Sequence, residues 1–137
     1  MRDMTKWLAG LSLVLLLTAA PALAAGADSG VYQHCLDTSS GGDFDMKVCG
    51  QTEMARQDKI LNGLYGRLRG RLSPTLKDDL TKAQRAWLAF RDAQCRYNYD
   101  HDGPGTLAGL SYQSCWIDLT DQRLKDLREM LRSVDTL

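Results

Sequence analysis

The chain has 137 residues, 17 basic and 17 acidic side chains, and a hydrophobic content of 44%. This length is typical of one domain. A net charge of zero excludes a protein that holds nucleic acid or another polyanion by bulk electrostatics, because such binding needs an excess of basic side chains.

The first 24 residues have the three regions of a secretory signal peptide. Arg2 and Lys6 give a positive amino terminus, residues 7–20 are uncharged and rich in leucine, and residues 22–24 (Ala-Leu-Ala) match a signal peptidase site. The uncharged run of 14 residues is shorter than the ~20 that a membrane-spanning helix needs. We predict a signal peptide over residues 1–24, cleaved after Ala24. The mature domain, residues 25–137, is then periplasmic or secreted and not attached to a membrane.

All four cysteines fall in the predicted mature domain, at Cys35, Cys49, Cys95 and Cys115. An even number of cysteines in a small exported chain is typical of disulfides. Successive cysteines are separated by 13, 45 and 19 residues, whereas the paired ligands of zinc sites are roughly two to four residues apart. We therefore expect no metal and no other cofactor. Of the three connectivities, we favour local pairing, Cys35 with Cys49 and Cys95 with Cys115.

Apolar residues recur at helical spacing in three segments. The first segment starts near Met46, and its apolar stripe contains Met54, Leu61, Leu64, Leu68 and Leu72. The second starts at the N-cap signal Ser73-Pro74 and runs to about Tyr99, with the stripe Leu76, Leu80, Ala83, Trp87, Phe90 and Gln94. The third starts near Thr106, with the stripe Leu107, Leu110, Ile117, Leu124, Leu127, Leu131 and Val134. These three segments are predicted to be helices.

The segments outside these helices are rich in glycine and polar residues. Residues 26–45 contain the run Ser39-Ser40-Gly41-Gly42, which is typical of a flexible loop. No segment of useful length alternates apolar and polar residues in the way that is typical of a strand. We therefore predict an all-α fold, a three-helix antiparallel bundle with a disulfide-tethered N-terminal loop.

The sequence offers no clear catalytic group. His34 and His101 lie in predicted polar loops, and Glu53 and Glu129 lie on predicted charged helix faces. Oxidised cysteines cannot act as nucleophiles, and no phosphate-binding glycine loop is present. We predict that the protein is not an enzyme.

Polar residues set into the predicted helices form an ordered pattern. A cysteine is followed by Asp, Leu-Asn and Tyr, then by Gln-Arg-x-Trp and Arg-Asp-x-x-Cys, and finally by Cys, Thr and Arg. The positions are Cys49, Asp58, Leu61, Asn62, Tyr65, Gln84, Arg85, Trp87, Arg91, Asp92, Cys95, Cys115, Thr120 and Arg123. This pattern resembles the bacterial LprI-type lysozyme inhibitor family, over roughly residues 32–131.

The resemblance implies a small helical exported domain and, for the founding type of the family, inhibition of lysozyme by contact between proteins. The founding type looks like a lipoprotein. In this chain the residue directly after Ala24 is not a cysteine, so the predicted mature amino terminus has no lipid-accepting residue. The predicted partner is a protein, with a lysozyme as the leading choice. The alternative function is an envelope structural or adaptor domain that binds another protein and leaves lysozyme unaffected.

Two interpretations of the motif residues remain open. In the structural one, Arg85 or Arg91 pairs with Asp58 or Asp92 between helices, and Trp87 fills the centre of the core. Asn62 and Tyr65 would then satisfy nearby polar groups, and such a buried pair would fix the register of the helices. In the functional one, the Arg91-Asp92 pair belongs to an exposed recognition surface, since arginine and tryptophan are frequent interface anchors.

Two loops are candidates for contact with a lysozyme. Without the signal peptide, 15 basic and 16 acidic side chains remain, so the net charge is −1, and aspartates gather in these loops. C-type lysozymes are basic and have two catalytic carboxylates, so acidic loops would steer the encounter and a donor group would meet the carboxylates. We predict that an inserted loop blocks the sugar cleft. The candidate contact residues are Ser39, Ser40, Asp43, Phe44, Asp100, His101 and Asp102.

Overall fold

A computed structural model describes residues 29–136, and the predicted signal peptide lies outside the described residues. Within that range the chain is entirely helical, with α1 at Ser29–Thr38, α2 at Asp43–Arg71, α3 at Pro74–His101 and α4 at Thr106–Asp135. The all-α prediction is confirmed. The count of three helices is wrong, because α1 and the first turn of α2 occupy most of the segment predicted to be a loop.

The helix α1 is held by partners that are distant in sequence. Tyr32 packs against a cluster around Cys95, Trp116 and Ile117, and Cys35 is bonded to Cys49 of α2. A ten-residue helix is marginal by itself in water, since nucleation is unfavourable and few backbone bonds follow. Packing and the disulfide therefore stabilise α1, although the glycine-rich composition of this segment is typical of a loop.

The three long helices run up, down and up. At one end the Gln113 side chain donates to the Lys47 carbonyl oxygen at 3.2 Å, and at the other Arg71 pairs with Asp135. The first and last long helices, α2 and α4, are therefore parallel, and α3 runs antiparallel to both. A side chain at Gly50 would bring a Cβ within 2.6 Å of Gln113 Oε1, so glycine permits the close approach of α2 and α4.

Local signals set the ends of α3. Ser73 accepts a hydrogen bond from the Leu76 amide at 3.5 Å, and Pro74 occupies the first helical position. The helix ends before Gly103 and Gly105, whose φ angles of 75° and 133° favour glycine. The start is where the sequence predicted it, and the end lies two residues beyond the predicted Tyr99.

The apolar core occupies the half of the bundle near the α2–α3 turn. Its buried members are Leu61, Leu64, Leu68, Leu80, Leu124 and Leu127. The stripe predicted for α3 is partly wrong, because Leu76 and Phe90 are 52% and 53% exposed. The buried face of α3 runs instead through Leu80, Gln84, Arg91 and Cys95. Most positions of this face are one residue later than the predicted stripe, which corresponds to a rotation of α3 by about 100°. The rotation directs Cys95 toward Cys115 and turns the side chains of Gln84 and Arg91 inward.

Both disulfides have the local pairing favoured from the sequence. The Cα atoms are 5.8 Å apart for Cys35–Cys49 and 5.4 Å apart for Cys95–Cys115. Over residues 29–136 there is no free cysteine and no group of side chains that could hold a metal ion. None of the helices in this range has both the length and the apolar character that crossing a membrane requires.

Candidate partner-binding end

The two candidate loops lie at the same end of the bundle. Lys47, one turn into α2, lines a crevice of about 350 Å³ together with Tyr99 in the last turn of α3, Gly105 of the α3–α4 connection and Thr106 at the start of α4. The parallel course of α2 and α4 causes this, since both helices begin here. We call the surface formed by residues 39–47 and 97–107 the acidic end.

The α1–α2 turn is closed by its own polar groups. The Ser40 amide donates to the Asp45 carboxylate at 3.1 Å, and the Ser40 hydroxyl donates to the same oxygen. The Ser39 hydroxyl donates to the Leu36 carbonyl oxygen at 2.8 Å. Of the residues proposed here for partner contact, Ser39 and Ser40 therefore shape the turn. Asp43 and Phe44 are exposed in the first turn of α2 and project from it.

The second candidate segment is mainly helical. Asp100 and His101 belong to the last turn of α3, and Asp102 is the C-cap of that helix. The prediction that Asp100 and His101 lie in a loop is therefore wrong. Arg96 pairs with Asp100 at 3.3 Å, and His101 Nδ1 lies 3.2 Å from Asp102. Hydrogen bonds from Ser111 and His101 lower the pKa of Asp102. The Asp102 carboxylate therefore stays ionised at neutral pH at the C-cap of α3.

A polar groove of about 520 Å³ adjoins this segment between α3 and α4. Its lining residues are Tyr97, Asn98, His101, Asp102, Ser111, Ser114, Cys115 and Asp118. Burial, and then the charge of Asp121, raise the pKa of Asp118. Burial, followed by the charges of Asp118 and Glu53, raises the pKa of the nearby Tyr32. The groove thus places one more carboxyl group, that of Asp118, beside the acidic end.

Exposed apolar side chains and net negative charge occur together at the acidic end. Phe44 is 77% exposed, Leu107 64% and Tyr97 63%. The same surface contains four aspartates and one lysine. Exposed apolar side chains surrounded by charged ones are typical of surfaces that bind other proteins. The negative charge would steer a basic partner toward this surface.

Arg91 does pair with Asp92, one of its predicted partners, but within α3 and not between helices. Its guanidinium contacts Asp92, the next residue of the same helix, at 3.1 Å, and that carboxylate is 60% exposed. The interhelical contacts of Arg91 are a hydrogen bond to Thr120 at 3.4 Å and a stack on the Trp116 ring at 4.1 Å. A planar guanidinium stacks well on aromatic rings and is more weakly hydrated than an ammonium, which explains its burial without a buried acid.

A second core arginine is held in a similar way. Arg123 Nε donates to Gln84 Oε1 at 3.0 Å, and its guanidinium lies 5.7 Å from the Trp87 ring. Burial lowers the pKa of Arg123, and the charge of Asp126 opposes that shift. The Arg91 guanidinium lies 5.1 Å from the centre of the same ring, so the half-buried Trp87 contacts both arginines. The predicted position of Trp87 at the centre of the core is therefore only partly right.

Other motif residues lie at the surface between α2 and α3. Asp58 and Arg85 are exposed and form no ion pair with each other, so that predicted buried pairing is also wrong. Asn62 donates to Asp58 at 3.3 Å on its own helix, and the Tyr65 hydroxyl lies 3.0 Å from Thr81 Oγ1 of α3. These side chains line a groove of about 390 Å³.

Buried polar residues are what the sequence interpretation missed. Glu53 was assigned to a charged face, yet it is 1% exposed and held by Arg56 at 2.6 and 2.7 Å. Gln57 is 2% exposed, and its Oε1 has no hydrogen-bond partner within the described range. The available signal was their spacing, since Glu53, Gln57 and Leu61 follow one helix face. His34 lies in α1 and not in a loop, and it is exposed as predicted.

The family model for lysozyme inhibitor LprI matches residues 35–127, from the first cysteine to the last buried leucine of α4. An uncharacterised protein of Rhizobium meliloti (strain 1021), R02472, is 26% identical over 105 residues. That alignment covers 67% of this chain and 76% of the relative. No solved structure matches the chain significantly.

Proposed function

Because the chain belongs to the LprI lysozyme inhibitor family, we propose that it is an exported, non-catalytic protein that inhibits a lysozyme by covering its sugar cleft. The family match over residues 35–127 carries this proposal. Two disulfides within the described residues support action outside the cytoplasm, since such bonds persist in oxidising compartments. We assign the protein to the periplasm or the exterior, with residues 1–24 as its cleaved signal peptide.

The contact surface in this proposal is the acidic end. Its aspartates would accelerate the encounter with a basic lysozyme, and the exposed Phe44 ring would be the apolar anchor. The catalytic cleft of a lysozyme holds two carboxylates, which need donors opposite them. Lys47 is exposed on the same surface and supplies an ammonium with three donors.

Occlusion fits the shape of this end better than insertion of a long loop. The α1–α2 connection is only residues 39–42, tied by Asp45, and the α3–α4 connection is residues 102–105. Short connections between rigid helices lose little conformational entropy when they bind. The proposed inhibitor therefore acts as a preformed wedge made of two helix ends.

The test is a turbidity assay of a C-type lysozyme on bacterial cell walls with the purified protein. We expect dose-dependent inhibition that weakens at least about tenfold in Phe44→Ala, the loss typical of an interface hot spot. Phe90→Ala is the matched control, since Phe90 is an aromatic residue that is 53% exposed on α3 outside the acidic end.

Each result decides one part of the proposal. An unchanged lysis rate at large molar excess would reject inhibition and favour the adaptor function. Inhibition that survives both Phe44→Ala and a triple alanine replacement of residues 100–102, with helicity intact, would place the contact elsewhere. Faster association at low salt than at high salt is expected if the aspartates steer the encounter.

A further inference from the structure

The groove between α2 and α3 is a second concave site, separate from the acidic end. Its polar lining is Asp58, Asn62, Tyr65, Thr81, Gln84 and Arg85. It lies about 22 Å from Lys47 along α2, since 15 residues separate Lys47 from Asn62 at 1.5 Å each. Its volume of about 390 Å³ is within the range of small-molecule sites, ~300–1,000 Å³.

Several polar groups of this groove are not used by the fold. Arg85 forms no hydrogen bond or ion pair with any residue between 29 and 136. Among residues 29–136, the one side-chain hydrogen bond of Asp58 and Asn62 is the bond between them, at 3.3 Å on an exposed surface. Gln84 uses its oxygen to accept from Arg123 at 3.0 Å, and this bond fixes the orientation of the amide. Side chains of this kind are available to a ligand without loss of structural contacts.

The floor and one wall of the groove are apolar. Leu61 is buried, and Leu88 is half-buried beside it. The Tyr65 hydroxyl and Thr81 Oγ1, 3.0 Å apart, join the two helices at one side of the groove. This bond holds the tyrosine ring along the wall. A ligand in this groove would contact the carbon atoms of the two leucines at its floor and hydrogen-bonding groups along its rim.

The lining selects a neutral ligand with many hydroxyl groups. One carboxylate and one guanidinium give the groove no net charge, so it does not favour either kind of ion. The amides and hydroxyls each donate and accept, as sugar hydroxyls do. The carbon face of a sugar ring is apolar and would lie on the two leucines, with the rim groups around its edge.

We propose that the α2–α3 groove, in which Asp58, Asn62 and Arg85 surround an apolar floor, binds a neutral saccharide of one to three rings. This site is independent of the proposed lysozyme contact. It would give the protein affinity for glycans while the acidic end remains open.

The direct test is titration of the ¹⁵N-labelled protein with chitotriose and, separately, with cellotriose, followed by amide chemical shifts. We expect shifts confined to residues 57–65 and 81–88 with at least one of the two probes. No shift at 10 mM of either probe, or shifts concentrated at the acidic end, would overturn the proposal. Sodium acetate and phosphate are the ionic comparisons, and tighter binding of either ion would also overturn it.

Variants assign the site to individual side chains. We expect Asn62→Ala and Arg85→Ala each to weaken saccharide binding at least fivefold. Both residues are exposed, so the melting temperatures of the two variants should stay close to that of the unaltered protein. Arg69→Ala, exposed on α2 outside the groove, should bind normally. Undiminished affinity in both groove variants would overturn the assignment. Lysozyme inhibition by these variants should be unchanged, so failure of the saccharide site is distinguishable from failure of the inhibitor function.

Discussion

The interior of the bundle differs between its two halves. The half near the α2–α3 turn is packed around six leucines that are each 8% exposed or less. The half behind the acidic end contains both disulfides, the stack of Arg91 on Trp116, and the buried side chains of Glu53 and Gln57. Apolar burial stabilises the first half, whereas the second combines a covalent bond with polar groups that are costly to bury.

The comparison explains why the disulfides are where they are. Gln57 Oε1 and Gln113 Oε1 are buried without a hydrogen-bond partner in the described part of the chain, and each such group costs about 1–3 kcal/mol. Both disulfides lie in this same half. Each adds something like 2–4 kcal/mol by restricting the unfolded chain. The bridges therefore offset the weak apolar core behind the proposed binding surface.

The largest effect is expected in the leucine half. Leu124 is fully buried, so Leu124→Ala should lower the free energy of unfolding by about 2–5 kcal/mol through lost burial and a residual cavity. Leu107→Ala is the matched control on the same helix, since Leu107 is 64% exposed. Urea unfolding followed by circular dichroism measures both. A loss below about 1 kcal/mol for Leu124→Ala would contradict the assignment of the main core to this half.

An intermediate effect is expected from the bridge between α3 and α4. Replacement of Cys95 and Cys115 together by alanine should destabilise the protein by about 2–4 kcal/mol, since the closed loop contains 19 residues. Removal of the Cys35–Cys49 bridge should instead release α1 and leave the long helices folded. Hydrogen exchange would show this as lost protection limited to residues 29–38. Equal loss of protection in all four helices would show that α1 is part of one cooperative unit.

The smallest effect is expected at Arg91. In Arg91→Met the stack on Trp116 is lost, but so is the desolvation of a charge, and we expect a change within about 1 kcal/mol. Arg91→Lys should be the less stable variant, because an ammonium is more strongly hydrated and cannot stack as a plane. Thermal unfolding compares the two. A lysine variant more stable than the methionine variant would show that charge, and not the stacked plane, is what this site requires.

Much of the fold could be predicted from local signals. Ser73-Pro74 marked the start of α3, the leucine spacing marked the buried face of α2, and the even number of cysteines indicated the bridges. The helix α1 could not be found in this way. Of residues 30–38, only Tyr32, Cys35 and Leu36 are half-buried, and the partners of Tyr32 and Cys35 lie in other helices.

The candidate surface was only partly predictable. Phe44 and Asp43 project from the surface as expected, whereas Ser39 and Ser40 bond within their own turn. The predicted antiparallel bundle implies that both acidic segments lie at one end, because its first and third helices are parallel. Which side chains of these segments project from the surface and which bond within their own turn depends on the packed structure.

Local signals were enough to predict a helical chain without net charge and to favour two local disulfides, because helix propensity, cysteine spacing and composition are read directly from the sequence. The tertiary structure decided which polar residues are buried. Asp58 and Arg85 remained at the surface of a groove, while Arg91 and Arg123 entered the core beside Trp87. The physical reason is that burial of a charge depends on partners from several helices, here aromatic rings and an amide, which only the packed bundle brings together.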